Sequence, residues 1–293
     1  MKICLVDVDG HNYANLALMK LSAYHKANGD TVEMCASDKA KEYDFGYASK
    51  VFSFTHLPEL PPHIVVGGSG HNLHNDLPDE IEHICPDYSL YGLEYSMGFL
   101  TRGCVRNCSW CIVPEKEGTI CAHADIMEFA RHRDVVLMDN NILAHTHGIH
   151  QLEKISVLGH RIDLNQGIDA RLIDDTTARL LARVSWLRPI RLACDTAAMI
   201  PHIEKAVRLL RWHNATPSRY GVYILVKDIA DAVERVKFIK GLHCTPFVQP
   251  YRDLTTNAEP TQEQKDFARW ANRKQLIGST TWEDYDKTRR TGH

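Results

Sequence analysis

At 293 residues, with 24% charged and 44% hydrophobic side chains, the chain has the size and make-up of a globular protein of one large or two smaller α/β domains. A net charge of -3 gives no overall electrostatic footprint for nucleic acid, although Arg and Lys are dense between Arg161 and Arg211. The opening apolar run is short and soon meets Asp7 and Asp9, which predicts a first strand rather than a signal peptide or a membrane span.

Residues 3–8 read as that strand, and residues 15–26 carry Leu16, Leu18, Met19, Leu21 and Tyr24 at helical spacing before Asn28-Gly29. Further strands are expected at 31–35, 50–54 and 63–68, the last running into Gly67-Gly68-Ser69-Gly70. Strand–helix alternation predicts a parallel sheet, and a Gly-rich turn at a strand's carboxyl end lies where such sheets bind ligands. Beyond the middle of the chain, strands are expected at 135–138, 161–164, 190–194, 221–226 and 245–250. Helices are expected between them at 150–158, 175–184, 203–213 and 229–240, and another at 263–273. Five or so βα units at about 30-residue spacing predict a partial barrel with polar residues at the strand ends. The expected domains are 1–95, 96–255 and a C-terminal helical extension, 256–293.

The most informative residues are Cys104, Cys108 and Cys111 in Thr-Arg-Gly-Cys-Val-Arg-Asn-Cys-Ser-Trp-Cys. Three thiolates within eight residues can hold three corners of an iron–sulfur cube and leave the fourth iron without a protein ligand. Such an open position is where a substrate or cofactor binds. The competing chemistry is a zinc knot with Cys121 or a nearby His as fourth ligand, but zinc sites favour paired Cys-x2-Cys units and no second unit is present. Nine scattered cysteines without a secretory signal predict a reducing, cytoplasmic setting. His145-Thr146-His147-Gly148-Ile149-His150 and His71-Asn72-Leu73-His74 invite a metal reading, but no carboxylate–His pair at helical spacing supports it.

The C-x3-C-x2-C spacing, with Trp110 before the last Cys, resembles the cluster motif of the radical S-adenosylmethionine (SAM) superfamily. The likeness runs from about Gly98 to Arg252. It implies a partial (β/α)6 TIM-type barrel behind a small Rossmann-like, cobalamin-binding-like (B12-binding-like) N-terminal domain. It further implies that the three cysteines ligate a [4Fe–4S] cluster and that SAM chelates the open iron, with the backbone near Trp110 meeting the adenine. Reductive cleavage of SAM would give a 5′-deoxyadenosyl radical acting on an unidentified substrate, with electrons from a flavodoxin- or ferredoxin-type donor. Where most of the superfamily has a Gly-Gly-Glu-like segment for the SAM amino group, this chain has Asp139-Asn140-Asn141. Those residues still offer acceptors for an ammonium. Gln166, Asp169, Arg171 and Asp195 are the remaining cofactor candidates, Arg171 as a carboxylate clamp and Asp195 on ribose hydroxyls. The Gly-x-Ile-x-Gly-like feature of the fifth strand is missing.

Asp9-Gly10-His11-Asn12-Tyr13-Ala14 nearly reproduces a cobalt-ligating Asp-x-His-x-x-Gly loop, with Ala14 in the place of Gly. His11, Gly67 and Gly68 are therefore candidates for cobalamin or substrate. The short connection from Phe54 to His63 argues against cobalamin. Two alternatives stand beside the radical SAM enzyme: a non-catalytic Fe–S sensor or structural protein, and a cobalamin-dependent methyltransferase. A second cluster on Cys4, Cys35 and Cys85 is disfavoured, since Cys4 lies inside the first strand, and no membrane partner is expected.

Overall fold

The computed structural model describes residues 1–10, 13–215, 220–253, 256 and 258–285. The chain divides into two compact units, Met1–Asp139 and Asn140–His293. Residues 96–139 thus fall in the same unit as residues 1–95, and the C-terminal helices fall in the second unit.

The first unit starts with β1 (Lys2–Asp7), α1 (Leu16–Ala27), β2 (Thr31–Met34), β3 (Phe45–Ser49) and β4 (Ile64–Gly67). The strands form one parallel sheet in the order β2-β1-β3-β4, the reversal about β1 being that of doubly wound sheets. Strand β1 is apolar on both faces, as a buried parallel strand must be. Ile3 and Leu5 pack with Leu18 and Leu21 of α1, while Cys4 and Val6 pack with Ala40, Ala48 and Ile64. Asn15 caps α1 by accepting the N–H of Leu18.

The strand expected at 50–54 lies instead at Phe45–Ser49. Its second residue, Gly46, is a poor strand former, yet here a Cβ would come within 2.5 Å of the Cys4 carbonyl oxygen. Residues 51 and 52 cannot join a ladder because the Asp9 carboxylate takes the N–H groups of Val51 and Phe52, and the Thr55 hydroxyl as well.

The rest of this unit is α2 (Asp79–Glu82), β5 (Ser96–Gly98), β6 (Thr101–Arg102), α3 (Val113–Lys116), β7 (Cys121–Ala122), α4 (Ile126–Phe129) and β8 (Asp134–Leu137). Strands β5 and β8 are parallel neighbours. Strands β6 and β7 make a two-residue antiparallel stem, with Thr101 opposite Ala122 and Arg102 opposite Cys121.

The second unit comprises α5 (Thr146–Leu158), β9 (Arg161–Leu164), α6 (Asp175–Arg183), β10 (Ser185–Trp186), β11 (Ile190–Ala193), α7 (Ile200–Trp212), β12 (Tyr220–Val226), α8 (Ile229–Gly241), β13 (Thr245–Pro250), α9 (Gln262–Asn272) and α10 (Lys274–Ser279). Strands β9 and β10 pair in parallel, as do β11, β12 and β13 in that order. Arg235 of α8, only 1% exposed, ties two strand ends together by donating to the carbonyls of Cys194 and Leu225. Helix α9 closes the β13 edge through the Asn272 amide, which accepts the Val248 N–H at 2.7 Å and donates to the Val248 carbonyl at 2.8 Å. Each unit is thus α/β with parallel sheets, as the alternation of elements predicts. Among the described residues no helix is long and apolar enough to cross a membrane.

Candidate metal centre

The three cysteines lie on the loop between β6 and β7, where Cys104 and Cys108 are half-buried and Cys111 is exposed. The loop has local order of its own. The Cys104 N–H donates to the Gly118 carbonyl at 3.2 Å, and the Cys111 N–H to the Cys108 carbonyl at 3.0 Å. The Arg106 N–H donates to the Cys104 sulfur at 3.4 Å. Gly103 enters the loop at φ 78°, and a Cβ would fall 2.6 Å from the Thr119 carbonyl oxygen, so only glycine fits. Trp110 is half-buried, beside Cys111 in the chain.

The donor set suits an iron–sulfur cube: three thiols on one short loop, one of them already receiving a backbone N–H. Among the described residues no three His, Cys, Asp or Glu side chains gather as they would about a single ion. A cube makes no such demand, because each thiolate meets its own iron.

Two carboxylates hold the approach to Cys104. Asp139, buried just past β8, accepts the N–H of Leu100 at 3.2 Å, and both the N–H and the hydroxyl of Thr101 at 2.6 Å. Burial pushes its carboxyl up to about 6, against the pull of the hydrogen bonds from Thr101 and Leu100. Glu117 accepts the Gly103 N–H at 2.9 Å and pairs with Arg102 at 3.3 Å. Sequence reasoning singled out Asp139 as an acceptor for an ammonium; the structure places it as an acceptor for the loop. It missed Glu117, whose only signal is an acid within the cysteine loop.

Of the other candidates, Asn140 is half-buried, and Asn141 is buried with its carbonyl accepting the Ala144 N–H at 2.9 Å. Gln166 is exposed. Asp169 and Arg171 meet each other, Nε to Oδ1 at 2.7 Å and a terminal nitrogen to Oδ2 at 3.0 Å. Asp195 accepts the Leu225 N–H at 3.2 Å. The neighbour Asn165 was not singled out, yet its Oδ1 is buried without a hydrogen-bond partner, while its carbonyl accepts the Tyr223 hydroxyl at 2.9 Å. An orphaned acceptor at a strand's carboxyl end is one that a ligand hydroxyl or a water would satisfy. Its sequence signal is its place as the first polar residue after β9.

In the N-terminal sheet, His11 lies outside the described residues. Gly67 ends β4, and Gly68 has φ 92° with a Cβ position 2.3 Å from the Lys50 carbonyl oxygen. The Gly70 N–H donates to that same carbonyl at 2.9 Å. Here the glycines serve the close approach of two backbone segments. His145 caps α5 by accepting the His147 N–H at 3.1 Å, and His147 and His150 lie within that helix.

No protein-family model matches the chain, and a search of curated proteins finds no match.

Proposed function

We propose that the chain is a radical SAM enzyme in which Cys104, Cys108 and Cys111 hold a [4Fe–4S] cluster and SAM occupies the open iron. The observation that carries the reading is the cysteine loop itself, closed by the β6–β7 stem and held by Asp139 and Glu117 at the carboxyl ends of β5 and β8. Carboxyl ends of parallel strands are where α/β proteins place their chemistry. Bound there, the cluster and SAM would supply the reductive cleavage that yields a hydrogen-abstracting radical. The protein's own residues orient and shield: the Arg106 N–H donates to the Cys104 sulfur and Gly103 allows the sharp entry. The partial (β/α)6 barrel, the cytoplasmic setting and the flavodoxin- or ferredoxin-type electron donor belong to the same proposal. The parallel strands β11, β12 and β13, alternating with α7 and α8 in the second unit, support the barrel.

A second reading, an iron–sulfur protein without SAM turnover, is favoured by one observation. The Asp139 carboxylate in the place of the amino-group ligand is already given to Leu100 and Thr101. Protein reconstituted anaerobically with iron and sulfide, then given dithionite and SAM, separates the two. Release of 5′-deoxyadenosine supports the enzyme, and an intact cluster without release supports the second reading.

A further inference from the structure

Behind the cysteine loop runs a line of alternating charges. Lys20, buried on α1, lies 3.0 Å from Glu82 of α2. Glu82 lies 3.2 Å from His123 and 3.9 Å from Arg102. Arg102 sits over the Phe99 ring at 4.1 Å and reaches Glu117, whose side chain is 7% exposed. Glu117 in turn holds the Gly103 N–H. Arg102 on β6 leads into the loop, and His123 follows β7 on the way out, so the line grips both limbs of the stem.

A stem that served only as a brace would need no charge, since the β6–β7 pairing and Gly103 already give the turn. Two acids and two permanent cations in this line, Arg102 and Glu117 of them at the entry to and within the loop, have a further effect. Reducing a cluster adds a negative charge, and fixed charges at partly buried sites act on it more strongly than they would in water. Arg102 favours the reduced form, Glu117 opposes it, and Lys20 and Glu82 complete a balanced set.

We infer that Arg102 and Glu117 are positioning residues that set the reduction potential of the centre carried by Cys104, Cys108 and Cys111, an inference that rests on the iron–sulfur reading above. The test uses the full chain, reconstituted anaerobically, with the midpoint potential titrated by electron paramagnetic resonance. Wild type is compared with Glu117→Gln, Arg102→Gln and the double variant, with iron per chain and melting temperature recorded for each. At equal iron loading, Glu117→Gln shifts the potential upward, Arg102→Gln shifts it downward, and the double variant falls between them. Equal potentials in all four overturn the inference and leave the cluster reading intact. A wild type that takes up no iron overturns the cluster reading and the inference with it. Where a Gln variant fails to load, the charge-keeping Glu117→Asp and Arg102→Lys restore uptake with the wild-type potential. If they load with no more success than the Gln variants, charge is not the determinant and the inference is overturned.

Discussion

Thr101 gives both its backbone N–H and its hydroxyl to one oxygen of Asp139, each at 2.6 Å. The two residues belong to different strand ends, so this contact fastens the end of β8 to the peptide that leads into the cysteine loop. The acid is wholly buried, and burial dominates its titration, raising it from 3.8 to about 6.

A raised carboxyl makes the fold more stable in acid, relative to a group that does not titrate. The contribution is fully present below 3.8 and is lost as pH rises through about 6. A shift of this size corresponds to about 3 kcal/mol. Measured by urea unfolding, the stability difference between wild type and Asp139→Asn moves in favour of wild type between pH 7 and pH 4. A difference that is constant across that range contradicts the burial of the group.

Glu82 behaves oppositely. Burial alone would raise its carboxyl, but the hydrogen bond with His123 and the charges of Lys20 and Arg102 hold it down to about 2. Its contribution is therefore present above 4.5 and lost as pH falls through about 2. Glu82→Gln leaves Lys20, 7% exposed, without its counter-charge and costs about 3 kcal/mol at pH 7. Adding Lys20→Met recovers a large part of that loss in the same denaturation assay, because an uncompensated buried ammonium is then removed.

Gly103→Ala forces a Cβ against the Thr119 carbonyl at a left-handed φ of 78°. Strain of about 1–2 kcal/mol at a left-handed position, with the clash added, should distort the entry to Cys104 while sparing the sheets. Iron uptake falls severalfold with an unchanged far-ultraviolet circular dichroism spectrum. Gly118→Ala, also at positive φ but with open space around its Cβ position, loses less.

Asn272→Ala removes both hydrogen bonds to Val248 at the β13 edge. The expected cost is about 2 kcal/mol, from two hydrogen bonds at about 1 kcal/mol each. Hydrogen exchange at Val248 rises first, since its N–H loses its acceptor.

The alternation of strands and helices was legible because apolar runs such as Ile3–Val6 and Tyr220–Val226 are bounded by polar turns. Strand β3 was not legible, because Gly46 sits where only a neighbouring carbonyl's proximity explains it. The β6–β7 stem has two residues a side, too few for any period to show. The candidate centre at Cys104, Cys108 and Cys111 is proposed from spacing, which is local information. What a carboxylate does depends on the donors around it, and these come from distant parts of the chain. Asp139 reads as a ligand acceptor by its place at a strand end, yet it meets Thr101; Asp169 and Arg171 read as two ligand groups, yet they meet each other. The division after Asp139 lies apart from the boundary expected near residue 95 for a related reason, since contacts that join 96–139 to residues 1–95 are long-range. One such contact is the Tyr88 hydroxyl donating to the Phe129 carbonyl at 2.8 Å.

The central claim is tested most directly by counting iron and 5′-deoxyadenosine on the same preparation. Anaerobically reconstituted wild type should carry about four irons per chain, as one cube requires, and release 5′-deoxyadenosine from SAM under dithionite. The triple variant Cys104→Ala, Cys108→Ala, Cys111→Ala should do neither. Iron retained by the triple variant, or none bound by wild type, would contradict the account.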